Sequence, residues 1–209
     1  MNMKQTLFDK GSFMVKNIFS KEMSLYLTHV LLRLYHSNNI EGKKNIDPVE
    51  GALATIRSDL YLDTFHEAIW PMAEELAGEK LIPTYAFSRL YCKGNVLSPH
   101  IDRPACEVSL TIQLGKSHDY VWPIYIGENR YDLEEGDAVM YLGCEEIHWR
   151  EECQGPHGYY SGQLLLHFVR ADGEYKSHAG KKRWPNEMPY IRNRFKQMQY
   201  KKFNNVDII

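Results

Sequence analysis

The sequence predicts a mainly β fold, an antiparallel sandwich or barrel, with α-helices packed on it from the N-terminal side. Short runs alternating between apolar and polar residues recur from residue 85 to residue 169, and turn-forming residues separate them. Helical periodicity, by contrast, is confined to the first part of the chain. Many short strands at this spacing belong to sandwiches and barrels.

In chain order, Phe13 to Ile18 reads as a short strand leading to Ser20. That serine is a good N-cap, and Glu22 adds a favourable charge to the first turn. Leu25, Leu27, Val30, Leu31, Leu34 and Tyr35 then follow one helical face. Residues 36 to 59 are polar, with Asn38-Asn39, Glu41-Gly42 and Asp47-Pro48 as turn formers, and read as loop. A second helix is expected from Thr64 to Leu76, ending at Gly78, a residue type suited to the position after a helix C-terminus.

Past Pro83, Tyr85, Phe87, Arg89 and Tyr91 alternate with Ala86, Ser88 and Leu90, and Lys93-Gly94-Asn95 closes that strand. Further strands are expected over Glu107 to Leu114, Val121 to Ile126, Tyr131 to Leu133, Ala138 to Leu142 and Gln163 to Val169. Glu134-Glu135-Gly136-Asp137 is a tight turn between two of them. The organisation is therefore one domain in three stretches. Residues 1–80 supply helical elements, 81–172 the β core, and 173–209 a basic extension.

Composition limits the function classes. The chain has 209 residues, 44% hydrophobic and 12% aromatic, enough for one core, and a formal net charge of -2. Near-neutrality does not favour a nucleic acid or an anionic membrane as partner. The exception is the C-terminal stretch, where Lys176, Lys181, Lys182, Arg183, Arg192, Arg194, Lys196, Lys201 and Lys202 face Glu187 alone. A solvated tail, or a contact for an acidic partner, accounts for it. Cys92, Cys106, Cys144 and Cys153 form no CxxC pair, so buried free thiols in a reducing, cytoplasmic setting are expected. No stretch is long enough to cross a bilayer.

The chemistry-bearing pattern is His100-Ile101-Asp102, followed 46 residues later by His148 within Glu146-Ile147-His148-Trp149-Arg150-Glu151. Residues two apart on a strand share a face, so His100 and Asp102 point the same way, with Pro99 at a strand edge or entry loop. Two imidazoles and one carboxylate can occupy one face of a metal and leave the other positions open. A closed four-ligand site would instead indicate scaffolding.

The segment Tyr91-Cys92-Lys93-Gly94-Asn95-Val96-Leu97-Ser98-Pro99-His100-Ile101-Asp102 resembles the iron(II)/2-oxoglutarate-dependent oxygenases of the prolyl 4-hydroxylase-like branch. Leu133 to Tyr141 looks like the turn and strand before their distal ligand, and Gln163 to Val169 like the core strand after it. The resemblance covers about residues 80 to 170. It implies a double-stranded β-helix (jelly roll, cupin-like) holding Fe(II) through His100, Asp102 and His148. It further implies 2-oxoglutarate and O2 as co-substrates. The reaction would hydroxylate a small molecule or a peptidyl side chain and release succinate and CO2. Tyr91 matches the tyrosine that hydrogen-bonds the distal carboxylate of 2-oxoglutarate.

The chain departs from that pattern in one place. The family usually carries Arg or Lys on the strand after the distal histidine, and His157 to Leu166 has neither. Arg150 is the first substitute, being two residues from His148, and Arg89 the second, sharing a face with Tyr91. Gln163 and His167 alternate onto one face and can line the same pocket. Arg103 is expected to close a loop with Glu107 in preference to meeting a substrate carboxylate or phosphate. Trp122 and Trp149 are expected as core or pocket-wall aromatics, and Cys106 and Cys144 as inert thiols on strands. The missing basic residue keeps a second reading open, a cupin-like metal-binding module or isomerase without 2-oxoglutarate turnover. Nucleic-acid dealkylation is a third reading, less favoured by the near-neutral charge.

Overall fold

A computed structural model describes residues 7–36, 49–50, 54–57 and 60–179. Alternation along two central strands organises the fold. On β6 (Val108–Lys116), Val108, Leu110, Ile112 and Leu114 are buried in the main apolar cluster. Leu164, Leu166 and Phe168 of β11 (Tyr160–Arg170) join them. Helices α2 (Lys21–His36) and α3 (Leu60–Ala77) add Leu27, Leu31, Ile69 and Met72 to that cluster. Each Leu, Ile or Phe so buried contributes ~1.5–3 kcal/mol. The intervening residues, Ser109, Thr111 and Gln113 on β6 and Gln163 and His167 on β11, are also buried, but they are polar. They face the interior of the sandwich, where Thr111, Gln163 and His167 line a cavity.

The remaining elements are α1 (Leu7–Lys10), β1 (Ser12–Val15), β2 (Val49–Glu50), β3 (Ala54–Arg57), β4 (Leu81–Cys92), β5 (Val96–His100), β7 (Ile124–Ile126), β8 (Asn129–Tyr131), β9 (Ala138–Leu142) and β10 (His148–Arg150). Short 3-10 turns cover Pro104–Cys106 and Glu174–Ala179. Six strands form one sheet in the order β1-β9-β6-β11-β4-β3, and five form the other in the order β2-β5-β10-β7-β8. Every pairing is antiparallel. This is the jelly roll expected, with helices on one face of the larger sheet.

The Ser20 hydroxyl accepts from the Met23 N–H at 3.3 Å, so α2 starts where its cap predicts. Gly78, at φ +77°, ends α3. Several expectations are corrected. Residues 36 to 59 are not all loop, because β2 pairs with β5 and β3 with β4. Strand β4 begins before Pro83, which sits opposite a bulge at His167/Phe168 where a missing N–H is tolerated. The first strand is only Ser12–Val15. The strand expected from Val121 starts after Pro123, at Ile124. The next strand shifts to Asn129–Tyr131, because Gly127-Glu128 makes a two-residue hairpin turn. Cys106 lies in a 3-10 turn and Cys144 in a turn after β9, so neither is on a strand, and Cys144 is only half-buried.

The turn at Gly136 has φ +93°, and a Cβ there would stand 2.2 Å from the Phe19 carbonyl oxygen, so only glycine fits. The basic residues from Lys181 onward lie outside the described residues. Among the described residues, no helix is long and apolar enough to cross a membrane.

Candidate active site

Both sheets contribute to a cavity of about 290 Å³. At one end stand His100, Asp102 and His148. Direct pairing of β10 with β5 sets His148 opposite His100, with ring centroids 4.2 Å apart. Asp102 lies just past the end of β5 rather than on it. Its backbone N–H donates to the Gly143 carbonyl at 2.7 Å, which aims the carboxylate at the two rings. A Cβ on Gly143 would meet Asp102 Oδ2 at 2.6 Å, so this approach requires glycine.

The protonation pattern suits a cation. His100 Nδ1 lies 2.7 Å from the Ser98 carbonyl and His148 Nδ1 2.9 Å from that of Glu146. A carbonyl only accepts, so both Nδ1 atoms carry the hydrogen and both Nε2 atoms keep a lone pair. Burial lowers the pKa of both histidines, and for His100 the neighbouring His148 adds to the effect. Asp102 Oδ1 is 3.9 Å from His100 Nε2 and 3.7 Å from His148 Nε2, too far for hydrogen bonds. One ligand atom from each residue lies within 4.8 Å of the others. Three lone-pair donors thus converge without satisfying one another, as a metal-ligand set would. Burial pushes the Asp102 carboxyl up to about 6, against the pull of the Ser109 hydroxyl, which donates to Oδ2 at 3.0 Å.

The floor has the opposite character. Arg150 is 2% exposed and Arg89 5%. Arg150 donates to the Trp122 carbonyl and, at 3.4 Å, to Gln163 Oε1, and its guanidinium lies 4.8 Å over the Trp122 ring. Arg89 Nη1 donates to the Tyr91 hydroxyl at 3.3 Å, while its Nε has no partner among the described residues. Neither guanidinium makes an ion pair there. Two buried cations without a counterion are costly unless an anion joins them. Gln163 is held by Gln113 and Ser161, and Tyr91 packs edge-on to Trp122.

Towards the mouth, Tyr85, Phe87 and His167 form a ring-lined wall beside Arg103. Arg103 does not pair with Glu107 as expected, because Glu107 bonds Arg170 at 2.6 Å. Its Nε donates instead to the Tyr85 hydroxyl at 3.2 Å.

The fold is now identifiable by comparison. No protein-family model matches the sequence, and no curated protein sequence does. Solved structures do match. A non-heme alpha ketoglutarate dependent carbocyclase, SnoK, from nogalamycin biosynthesis aligns over 82% of this chain and 85% of its own, at 11% identity and TM-score 0.62. A Pseudomonas putida prolyl-4-hydroxylase aligns over 77% and 92%, at 14% identity and TM-score 0.57. The viral collagen prolyl hydroxylase of Paramecium Bursaria Chlorella virus-1 aligns over 79% and 99%, at 11% identity and TM-score 0.56. The chain has the fold of the iron(II)/2-oxoglutarate oxygenases.

Within this oxygenase fold, His100, Asp102, His148, Tyr91, Arg150, Arg89, Gln163, Arg103 and His167 line the cavity, and Trp149 does not. Trp149 lies between His148 and Arg150 on a three-residue strand, so it projects to the other face and stacks on Tyr125 at 5.2 Å. Trp122 is core, beneath Arg150. Ser109, Thr111 and Tyr141 were missed. Tyr141 sits 4.8 Å from the His148 ring and also lines the cavity. The signal for the first two was present, since Ser109, Thr111 and Gln113 interrupt an otherwise apolar strand at every second position.

Proposed function

We propose that this chain is an Fe(II)/2-oxoglutarate-dependent dioxygenase that hydroxylates a small molecule or a peptidyl side chain. The supporting observation is the charge arrangement of a single cavity. One end has three converging lone-pair donors that suit a dication, and the floor has two buried guanidiniums that suit a carboxylate. His100, Asp102 and His148 would hold iron on one face. Arg150, with Arg89, Tyr91 and Gln163 beside it, would hold the distal carboxylate of 2-oxoglutarate, replacing the basic residue missing between His157 and Leu166. Bound there, iron and 2-oxoglutarate supply the oxidising chemistry: substrate C–H, O2 and 2-oxoglutarate yield substrate C–OH, succinate and CO2. The chain's own task is to fix the co-substrate at the floor, present a C–H bond from the mouth side, and exclude water with Leu97, Ile124 and Leu165.

The two arginines favour this reading over a metal-binding module that takes no co-substrate. Four cysteines without a disulfide agree with a reducing, cytoplasmic location. The test is anaerobic addition of Fe(II) and 2-oxoglutarate to the folded protein, followed by aerobic assay of succinate. A weak visible charge-transfer band and succinate release are expected. Folded, iron-loaded protein that gives neither would sink the proposal.

A further inference from the structure

Three ligands on one face of a six-coordinate metal leave three positions open only if each supplies a single atom. A carboxylate that binds through both oxygens fills a fourth. The oxygenase reading uses every open position, two for the keto acid and one for O2. How Asp102 binds therefore decides whether O2 has a place. Its two oxygens stand in different surroundings. Oδ1 faces the rings, 3.9 Å from His100 Nε2 and 3.7 Å from His148 Nε2. Oδ2 is engaged by β6, where the Ser109 hydroxyl donates to it at 3.0 Å. A Cβ on Gly143 would stand 2.6 Å from Oδ2 and 2.9 Å from Ser109 Oγ, so the missing side chain there lets the two atoms meet.

Ser109 is fully buried. Among the described residues its Oγ meets Asp102 Oδ2, the Cys106 carbonyl at 3.2 Å, His167 Nδ1 at 2.9 Å and the Tyr141 hydroxyl. The Ser109 hydroxyl has one hydrogen. Of these neighbours only Asp102 offers it a carboxylate, and a bond to an ionised acceptor is the stronger kind. The Tyr141 hydroxyl can donate to Oγ in turn, so the group that restrains Asp102 is itself restrained. Without the Ser109 hydroxyl, Oδ2 would have no hydrogen-bond donor among the described residues. A buried acceptor left unpaired is costly, and turning towards the cation would relieve it.

We propose that Ser109 is a positioning residue that holds Asp102 Oδ2 off the iron, so that the carboxylate binds through Oδ1 alone and the position for O2 stays open. This rests on the oxygenase reading above, since it assumes iron at the triad and a keto acid beside it.

The test compares Ser109→Thr with Ser109→Val, side chains of one shape that differ in the hydroxyl, and adds Ser109→Ala as a variant without extra bulk. Each protein is loaded anaerobically with Fe(II) and 2-oxoglutarate and titrated with nitric oxide, which binds where O2 would. Electron paramagnetic resonance reads the iron–nitrosyl signal, and competition with a chelator reads Fe(II) affinity. In Ser109→Ala and Ser109→Val, nitric oxide is expected to bind at least ~10-fold more weakly, the size of effect usual for a group that orients a metal ligand. Fe(II) affinity in both should equal or exceed that of the native protein, because a second carboxylate oxygen joins the metal. Ser109→Thr keeps the hydroxyl and should behave as the native protein does. A residue that merely supports the fold would lower Fe(II) affinity together with nitric oxide binding, and that result would overturn the inference. So would unchanged nitric oxide binding in Ser109→Ala, or a Thr variant as impaired as the Val variant. If the added methyl group unfolds both Thr and Val variants, the alanine variant against the native protein decides. The Fe(II)/2-oxoglutarate absorption band of the native protein separates the two failures. If that band is absent the oxygenase reading falls. If it is present and nitric oxide binding ignores the Ser109 hydroxyl, only this inference does.

Discussion

The two ends of the cavity are built in opposite ways. At the metal end, each imidazole is oriented by the carbonyl two residues before it, Ser98 for His100 and Glu146 for His148. The floor is assembled across the sheets: Arg89 on β4 faces Gln163 on β11, and Arg150 arrives from the other sheet. Their electrostatics are opposite as well. The metal end buries a carboxylate that burial raises to about 6 against the pull of Ser109 and the nearby cations, and the floor buries two guanidiniums with no carboxylate partner among the described residues. Each end is a local cost to the ligand-free fold, and each cost is relieved by a ligand of the other sign. Binding and folding are therefore linked at both ends, with opposite ions.

The largest expected effect comes from removing the charge at the metal end. Asp102→Asn deletes the anionic ligand, so iron-dependent succinate release is expected to fall at least ~1,000-fold, a loss of the size seen when a central catalytic group is removed. The metal-free protein should respond the other way. The carboxyl pKa is raised from 3.8 to about 6 on folding, so the stabilisation it confers is present below pH 4 and lost as pH rises through about 6. Near pH 8 the ionised, buried carboxylate is a penalty of about 1–3 kcal/mol, at ~1.36 kcal/mol for each pKa unit. Asp102→Asn is thus expected to stabilise the metal-free protein at pH 8 and not at pH 4, as read by urea unfolding at both values. A variant less stable at pH 8 would show that the two ends are not built on opposite charge costs.

A smaller effect is expected at the floor. Charge-assisted hydrogen bonds contribute ~1.5–3 kcal/mol each, so Arg150→Leu should raise KM for 2-oxoglutarate ~10- to 100-fold. Lysine should not restore it, because a point charge cannot reproduce the paired N–H groups. Arg89→Leu should raise KM as well, since the Arg89 Nε has no partner among the described residues and is left to the co-substrate. If both leucine variants keep the native KM, the floor does not hold the co-substrate and the comparison collapses.

The same difference explains what could be read from the sequence. The triad was legible because its spacing is local: His100 and Asp102 are two apart, and His148 sits in a recognisable segment. Antiparallel strands were legible wherever alternation was strong, as at Ala138–Leu142, where expectation and structure coincide. The floor was less so. That Arg150 is buried rather than paired with a neighbouring glutamate depends on Trp122 and Gln163, 28 and 13 residues away in sequence. Likewise the Arg103–Glu107 pair failed because Arg170, 63 residues from Glu107, competes for that carboxylate. Tyr141 escaped notice because an aromatic on an apolar strand carries no pattern of its own.

The smallest expected effect tests which way a three-residue strand faces. Trp149 separates His148 from Arg150 in sequence, yet its ring stacks on Tyr125 with an interplanar angle of 8°, away from the cavity. An aromatic pair of this kind contributes ~0.5–1.5 kcal/mol beyond the area it buries. Trp149→Ala should therefore lower the melting temperature modestly and leave KM for 2-oxoglutarate and iron affinity within about twofold, well below the tenfold that ~1.4 kcal/mol would produce. A change in KM comparable to that of Arg150→Leu would mean that β10 is turned over, with its even and odd positions exchanged. His148 and Arg150 would then both face outwards, and the opposition between metal end and floor could not exist.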